Sequence, residues 1–264
     1  MGGFTLDKSF SDLDKMVKGW MKEARLKILK ALNDEIDVWT KSGRNDLVTN
    51  IDKEIENFYI EKIHHFDSEA TIIGEETFSN DDLDLNGVTW YLDPIDGTMN
   101  FVKQKEHFAT MIAIYENGCG VRGYIFDVMR NKIFWGGPDI GVFCDNDRLT
   151  PPINTSLRDG LIGIGAPYLI HNFRNLQKVA LQSSGTRIYG SAGIQILHVI
   201  EGKCVGYVSY LRPWDFAAGK VLAETLGLSV KTIDGKSLNM LTSSDVLVAT
   251  KNAQKDIAKL VKKS

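Results

Sequence analysis

The sequence predicts a mixed α/β (α+β) fold in one continuous body, an antiparallel part followed by an alternating α/β part. Three observations carry the prediction. Apolar residues at helical spacing open the chain, short β-like runs follow one another to about residue 144, and strand-like and helix-like segments then alternate to the end. With 264 residues, 43% of them hydrophobic and 25% charged, there is enough apolar material for a sizeable core.

Leu13, Met16, Val17, Trp20, Ala24, Ile28, Ala31 and Leu32 step by three or four, as one face of a long helix does. A second helix is expected from about Thr49, with Ile51, Ile55, Phe58 and Ile63 as its face and Thr49 or Asn50 as N-cap. Strand-like runs at 71–74 and 88–92 precede a meander near 108–115, 123–128, 133–135 and 141–144, which predicts an antiparallel sheet. Beyond it come a strand at 161–164, a helix at 173–181, a strand at 187–189, a helix at 194–201, a strand at 205–210 and a helix at 214–226. A hairpin around Asp234-Gly235, a strand at 246–250 and a last helix complete the chain. Thr150-Pro151-Pro152 interrupts regular structure, so the two lobes are expected to be residues 1–150 and 151–264, intimately packed.

Thirty-one Lys and Arg against 34 Asp and Glu give a net charge of -3, which leaves no overall basic field for nucleic acid or an anionic membrane. The basic end of the chain (Lys251, Lys255, Lys259, Lys262 and Lys263) lacks interleaved aromatics and reads as a solvated helix face. No run approaches the roughly 18 apolar residues of a membrane span, and the acidic N-terminus has no apolar core, so a cytoplasmic protein is expected. Cys119, Cys144 and Cys204 form an odd set without metal-ligand spacing, arguing against disulfides and structural zinc.

The densest chemical signal is Trp90-Tyr91-Leu92-Asp93-Pro94-Ile95-Asp96-Gly97-Thr98, an apolar strand ending in two carboxylates. Buried together, Asp93 and Asp96 repel and desolvate one another unless a hard divalent cation, magnesium by preference, neutralises them. Gly97 and Thr98 would open the next helix or turn, whose unpaired N–H groups suit a phosphate. Taken alone, Asp-Pro and Asp-Gly are equally the dipeptides of a turn. Glu75 and Glu76 also stand at a strand end, and Asp215 stands where a helix begins, which an ordinary N-cap explains as well.

Gly74-Glu75-Glu76, Asp93-Pro94-Ile95-Asp96-Gly97-Thr98 and Trp214-Asp215-Phe216-Ala217-Ala218-Gly219 together resemble the signature series of the inositol monophosphatase family. Lys41, the stretch from Asp46 to Asp52, and Gly190-Ser191-Ala192-Gly193 fall in the same register over roughly residues 10 to 260. The resemblance implies a layered αβαβα sandwich of the inositol monophosphatase/fructose 1,6-bisphosphatase type, binding two or three magnesium ions. It implies that Glu75, Asp93 and the Ile95 carbonyl hold one ion, and Asp93, Asp96 and Asp215 another. A third leans on Glu75 and, through water, on Asp52, beside a loop carrying Lys41. The implied reaction is hydrolysis of a phosphate monoester by water oriented and deprotonated by Glu75 and Thr98, with Asp52 in support. Gly97, Thr98, Ser191 and Ala192 would contact substrate, with Asp215 near the leaving oxygen. A homodimer and lithium sensitivity are implied as well.

In animal members a glutamate six residues before the Trp-Asp pair binds inositol hydroxyls; here that position is Val208. Arg212, or Arg187, could instead face a second phosphate. Inositol monophosphate therefore leads, with NADP, 3′-phosphoadenosine 5′-phosphate or fructose 1,6-bisphosphate as alternative substrates and an RNA- or transcription-binding protein as the non-enzyme alternative. Gly118-Cys119-Gly120-Val121-Arg122-Gly123 matches a dinucleotide fingerprint, but a strand-like run follows it, so it reads as a hairpin.

Overall fold

The computed structural model describes residues 10–33, 38–40, 47–78 and 85–261. Lys41, Asp46, Lys262 and Lys263 lie outside them. The elements in chain order are α1 (Phe10–Ala31), β1 (Val38–Thr40), β2 (Leu47–Thr49), α2 (Asn50–Phe66), β3 (Thr71–Gly74), β4 (Val88–Asp96) and α3 (Thr98–Lys103). The meander is β5 (Ala109–Glu116), β6 (Cys119–Asp127), β7 (Lys132–Gly137), β8 (Gly141–Cys144) and β9 (Asp147–Arg148). Then come β10 (Leu161–Ile164), α4 (Ala166–Ile170), α5 (Leu176–Gln182), β11 (Gly185–Arg187), α6 (Ala192–Ile200), β12 (Gly206–Leu211), α7 (Pro213–Thr225), β13 (Ser229–Thr232), β14 (Ser244–Ala249) and α8 (Lys251–Leu260).

The larger sheet has the order β3-β4-β5-β6-β7-β8-β9 and is antiparallel except where β3 runs parallel to β4. The smaller, mixed sheet has the order β11-β10-β12-β14-β13, and β1 pairs with β2 separately. Side chains alternating along each strand place the sheets between helices. From β4 and β5, Trp90, Leu92, Ile112 and Ile114 pack against α1 and α2. Their neighbours Tyr91, Met111, Ala113 and Tyr115 point the other way, into a core shared with α6, α7 and the inner face of β12. The outer face of the smaller sheet, with Ile162, Val208 and Leu247, is covered by α5 and α8. The layers therefore run helices, sheet, helices, sheet, helices, which is the αβαβα order.

Several expectations move. Tyr59, not Phe58, completes the buried face of α2, and Met21 replaces Met16 on α1. The helix expected at 173–181 begins only at Leu176, because Asn172, Arg174 and Asn175 adopt positive φ and break the first turn. The strand expected at 187–189 lies at Gly185–Arg187. Asp234-Gly235 does turn, with the Gly235 N–H donating to the Thr232 carbonyl at 2.8 Å, but the strand pairing β13 starts only at Ser244.

The dinucleotide-like glycines have another use. Asn117 and Gly118, both at positive φ, are the two-residue turn between β5 and β6. A Cβ at Gly123 would stand 2.5 Å from the Ala218 carbonyl oxygen, so the bare strand lets α7 approach the sheet.

Candidate active site

Strand and helix ends meet where the chain concentrates its acids. Pro94 cannot donate to the ladder, and the β4–β5 register slips between Asp93 and Asp96, so β4 carries both carboxylates inward at its end. Asp93 is 1% and Asp96 7% exposed. Parallel β3 stops at Gly74, and the Glu75 N–H continues the ladder to the Leu92 carbonyl at 3.2 Å, setting Glu75 beside Asp93. Asp52 comes from the first turn of α2, where it accepts the Thr49 N–H at 2.8 Å in a capping box. Asp215 comes from the first turn of α7 and accepts the Arg212 N–H at 2.7 Å.

Asp93 feels the charge of all the others. Burial pushes the Asp93 carboxyl well above its ordinary value, and Glu75, Asp96, Asp215 and Asp52 push it further. Asp215 is raised well up by burial and then by Glu75, against the Arg212 N–H. Burial raises Asp96 too, opposed by the Ser191 hydroxyl and the Ala192 and Gly193 N–H groups. Asp52 is raised by burial against its bonds to Thr49 and Thr98.

Hydrogen bonds separate the roles. Asp96 accepts the Ala192 N–H at 2.9 Å, the Gly193 N–H at 2.7 Å and the Ser191 hydroxyl, tying the end of β4 to the start of α6. Ser191 and Ala192 are thus brought to the site, with their donors turned to Asp96. The Thr98 hydroxyl lies 3.0 Å from Asp52 Oδ1 and 3.1 Å from the Ile95 carbonyl oxygen, joining the three residues. Gly97, at positive φ, is the N-cap of α3 and supplies no side chain to cover the N–H groups of its first turn. By contrast Asp93 Oδ1 is buried with no hydrogen-bond partner.

That orphaned oxygen, within a group of mutually repelling acids, fits a divalent cation held by oxygen donors. As the side chains stand, no three His, Cys, Asp or Glu among the described residues close round a common point. Asp96, Asp215 and Asp52 are held by N–H and hydroxyl donors instead.

The same charges set a pH dependence. A carboxyl whose folded pKa is raised makes its full contribution to stability below the ordinary value near 3.8 and loses it as pH rises through the raised value. In EDTA, Asp93→Asn is therefore expected to melt above wild type at pH 8, with the gap narrowing as pH falls. A melting gap that stays constant with pH would contradict the proposed repulsion.

On the leaving-group side, Val208 is wholly buried and faces α5 and α8, away from the acids. The strand alternation turns Tyr207 toward the site, where Asp96 and Asp215 add to the burial that raises its phenol. Arg212 is exposed, its guanidinium 5.5 Å from the centre of the Trp214 ring. Arg187 is also exposed, its Nη1 spent on the Thr186 carbonyl at 3.0 Å.

Sequence reasoning missed Glu56, a fully buried acid one turn beyond Asp52. The available signal was a carboxylate at i+4 from Asp52, on a face otherwise made of Ile51, Ile55 and Tyr59.

The chain is similar to known proteins along nearly its whole length. The model of the inositol monophosphatase family matches residues 10–264. The inositol-1-monophosphatase of Bacillus subtilis (strain 168) is 36% identical over 254 residues, 94% of this chain and 96% of its own. The Nus factor SuhB of Escherichia coli (strain K12) is 32% identical over 213 residues, 78% of this chain and 79% of its own. A crystal structure of an IMPase/NADP phosphatase complexed with Mg2+ and phosphate superposes with a TM-score of 0.88 at 28% identity, covering 96% of each chain. Among the described residues, no helix is long and apolar enough to cross a membrane.

Proposed function

The chain belongs to the inositol monophosphatase family and is a phosphomonoesterase of that kind, and from that premise we propose that it hydrolyses small phosphate monoesters with magnesium, myo-inositol monophosphate first among them. The observation that carries the reading is the unpartnered Asp93 oxygen among Glu75, Asp96, Asp215 and Asp52. Glu75, Asp93 and the Ile95 carbonyl would hold one ion, and Asp93, Asp96 and Asp215 a second, with a third near Glu75 and Asp52. Bound there, magnesium supplies positive charge against the dianionic ester and against charge developing on the attacking and leaving oxygens.

The chain's own groups do the rest. The Thr98 hydroxyl, which donates to Asp52, keeps a lone pair that accepts a hydrogen bond from water; as it takes the water's proton it would pass its own to the Asp52 carboxylate, so Thr98 and Glu75 orient and deprotonate the nucleophile. Asp52 fixes the direction of that hydroxyl. The first-turn N–H groups of α3 beyond Gly97 hold phosphate oxygens, and Asp215 stands by the leaving oxygen.

The buried Val208 favours a second reading, in which a nucleotide or sugar bisphosphate is preferred. No carboxylate from that position reaches the leaving group, whereas exposed Arg212 adjoins Asp215. A homodimer and inhibition by lithium accompany both readings.

Phosphate release by the purified protein, with magnesium and then with EDTA, tests them across inositol 1-phosphate, fructose 1,6-bisphosphate, NADP and 3′-phosphoadenosine 5′-phosphate. Release that stops in EDTA and is fastest, by kcat/KM, on inositol 1-phosphate is the expected result. A higher kcat/KM on a nucleotide or bisphosphate would select the second reading. No magnesium-dependent release from any of the four would overturn both.

A further inference from the structure

Glu56 leaves α2 on the same face as Asp52, because residues four apart are neighbours on a helix. A fully buried carboxyl needs partners to offset its lost hydration. One of its oxygens finds them in the turn that follows β3, while Oε1 is left without a hydrogen-bond partner among the described residues. Glu56 Oε2 accepts the Glu76 N–H at 2.9 Å, and bonds from Thr77 join it in opposing the rise that burial imposes on the carboxyl.

Gly74 belongs to the same contact. A Cβ there would lie 2.6 Å from Glu56 Cδ and 2.7 Å from each carboxylate oxygen, so the carboxyl occupies the space a side chain at position 74 would take. Any larger residue must shift the carboxyl that accepts the Glu76 N–H. Glu75 is consequently held on both sides: its own N–H is bonded to Leu92 at 3.2 Å, and the next N–H is bonded to Glu56.

We propose that Glu56 is a positioning residue of the active site, which clamps the turn 74–77 from α2 and so presents the Glu75 carboxylate to Asp93 for magnesium. The bare Gly74 is the other half of this clamp. The inference rests on the magnesium reading of the site and adds a requirement that the acids themselves do not impose.

The test uses the full-length protein as Glu56→Ala, Glu56→Gln, Gly74→Ala and the double variant Gly74→Ala/Glu56→Ala. Magnesium binding is measured by calorimetry without substrate, melting in EDTA, and KM for inositol 1-phosphate at saturating magnesium. Partners that orient metal ligands typically account for about ten- to a hundredfold in affinity. Glu56→Ala is expected to weaken magnesium binding about tenfold or more while KM stays within about twofold of wild type. Glu56→Gln keeps a carbonyl for the Glu76 N–H and recovers most of the affinity. Gly74→Ala weakens magnesium binding in the wild-type background but adds little once Glu56 is alanine, because the space is then open.

Wild-type magnesium affinity in a folded Glu56→Ala would overturn the proposal, as would a glutamine variant no better than alanine. Should Glu56→Ala fail to fold, Gly74→Ala against Glu56→Gln gives the same decision. A wild-type protein that binds no magnesium and releases no phosphate would sink the reading of the site itself, whereas an active wild type with an indifferent Glu56 sinks only the clamp.

Discussion

Asp93→Asn is expected to lower kcat/KM on inositol 1-phosphate by about a hundred- to a thousandfold while the protein remains folded. The amide has the shape of the carboxyl and fits the same buried slot, so no cavity opens. What it loses is a negative charge that feels all four other acids. A metal ion contributes several kcal/mol to stabilising transition-state charge, and each 1.4 kcal/mol or so is a factor of ten in rate. Loss of a residue proposed to serve two ions would remove a large part of that contribution. The measurement is phosphate release at several magnesium concentrations: a weakened ion shows as a raised magnesium requirement together with a lower plateau. Unchanged turnover would mean that Asp93 is only a buried turn residue. The rise in metal-free melting at pH 8 is the independent half of the same expectation, since removing one of several crowded charges relieves the empty site as it disables the loaded one.

The acids were legible in the sequence because each stands at a change of pattern. Asp93 and Asp96 end an apolar run, Glu75 ends another, and Asp215 follows a proline at a helix start. Such places are strand and helix termini, which the fold gathers at one end of its layers. The two sheets were legible from the change between meander and alternation, and their layering from the family resemblance. What remained hidden depends on contacts across the chain. That Asp96 is tied to Ser191, Ala192 and Gly193 could not be seen, because the partners stand 95 to 97 residues away. Val208 drew attention by its alignment with a ligand, yet pairing opposite Leu247 in β12–β14 turns it into the outer core. Only the register of that strand decides which of Tyr207 and Val208 faces the site. Glu56 and Asp14 were passed over for one reason: an acid on an otherwise apolar helical face reads as a solvated edge until its partner is known. For Asp14 the partner is Arg122, which the sequence had shown only as the variable position of a misleading glycine motif.

Asp14→Ala is expected to destabilise the protein by about 3–5 kcal/mol, the usual cost of removing one member of a buried charge pair. Arg122 is wholly buried on β6 and donates through Nε to Asp14 Oδ1 at 3.1 Å and through Nη2 to Asp139 at 2.9 Å. The Tyr124 hydroxyl donates to the same Asp14 oxygen, and the Phe10 ring centre lies 4.2 Å from the guanidinium. Asp14 is therefore a buried polar point at which α1 is fastened to the larger sheet. Alanine there leaves the Arg122 Nε and the Tyr124 hydroxyl buried without an acceptor, while Asp139, at the surface, retains only the outer half of the guanidinium. For a chain of this size each kcal/mol is roughly 2–4 °C, so melting should fall by about 10 °C. Asp14→Asn keeps an oxygen for both donors and should fall by less than half as much. Asp14→Leu with Arg122→Met removes the polar groups together and is expected to recover part of the loss, because an apolar pair needs no acceptor. An alanine variant melting within about 2 °C of wild type would show that α1 is held by Leu13, Val17, Trp20 and Met21 alone, with the ion pair indifferent.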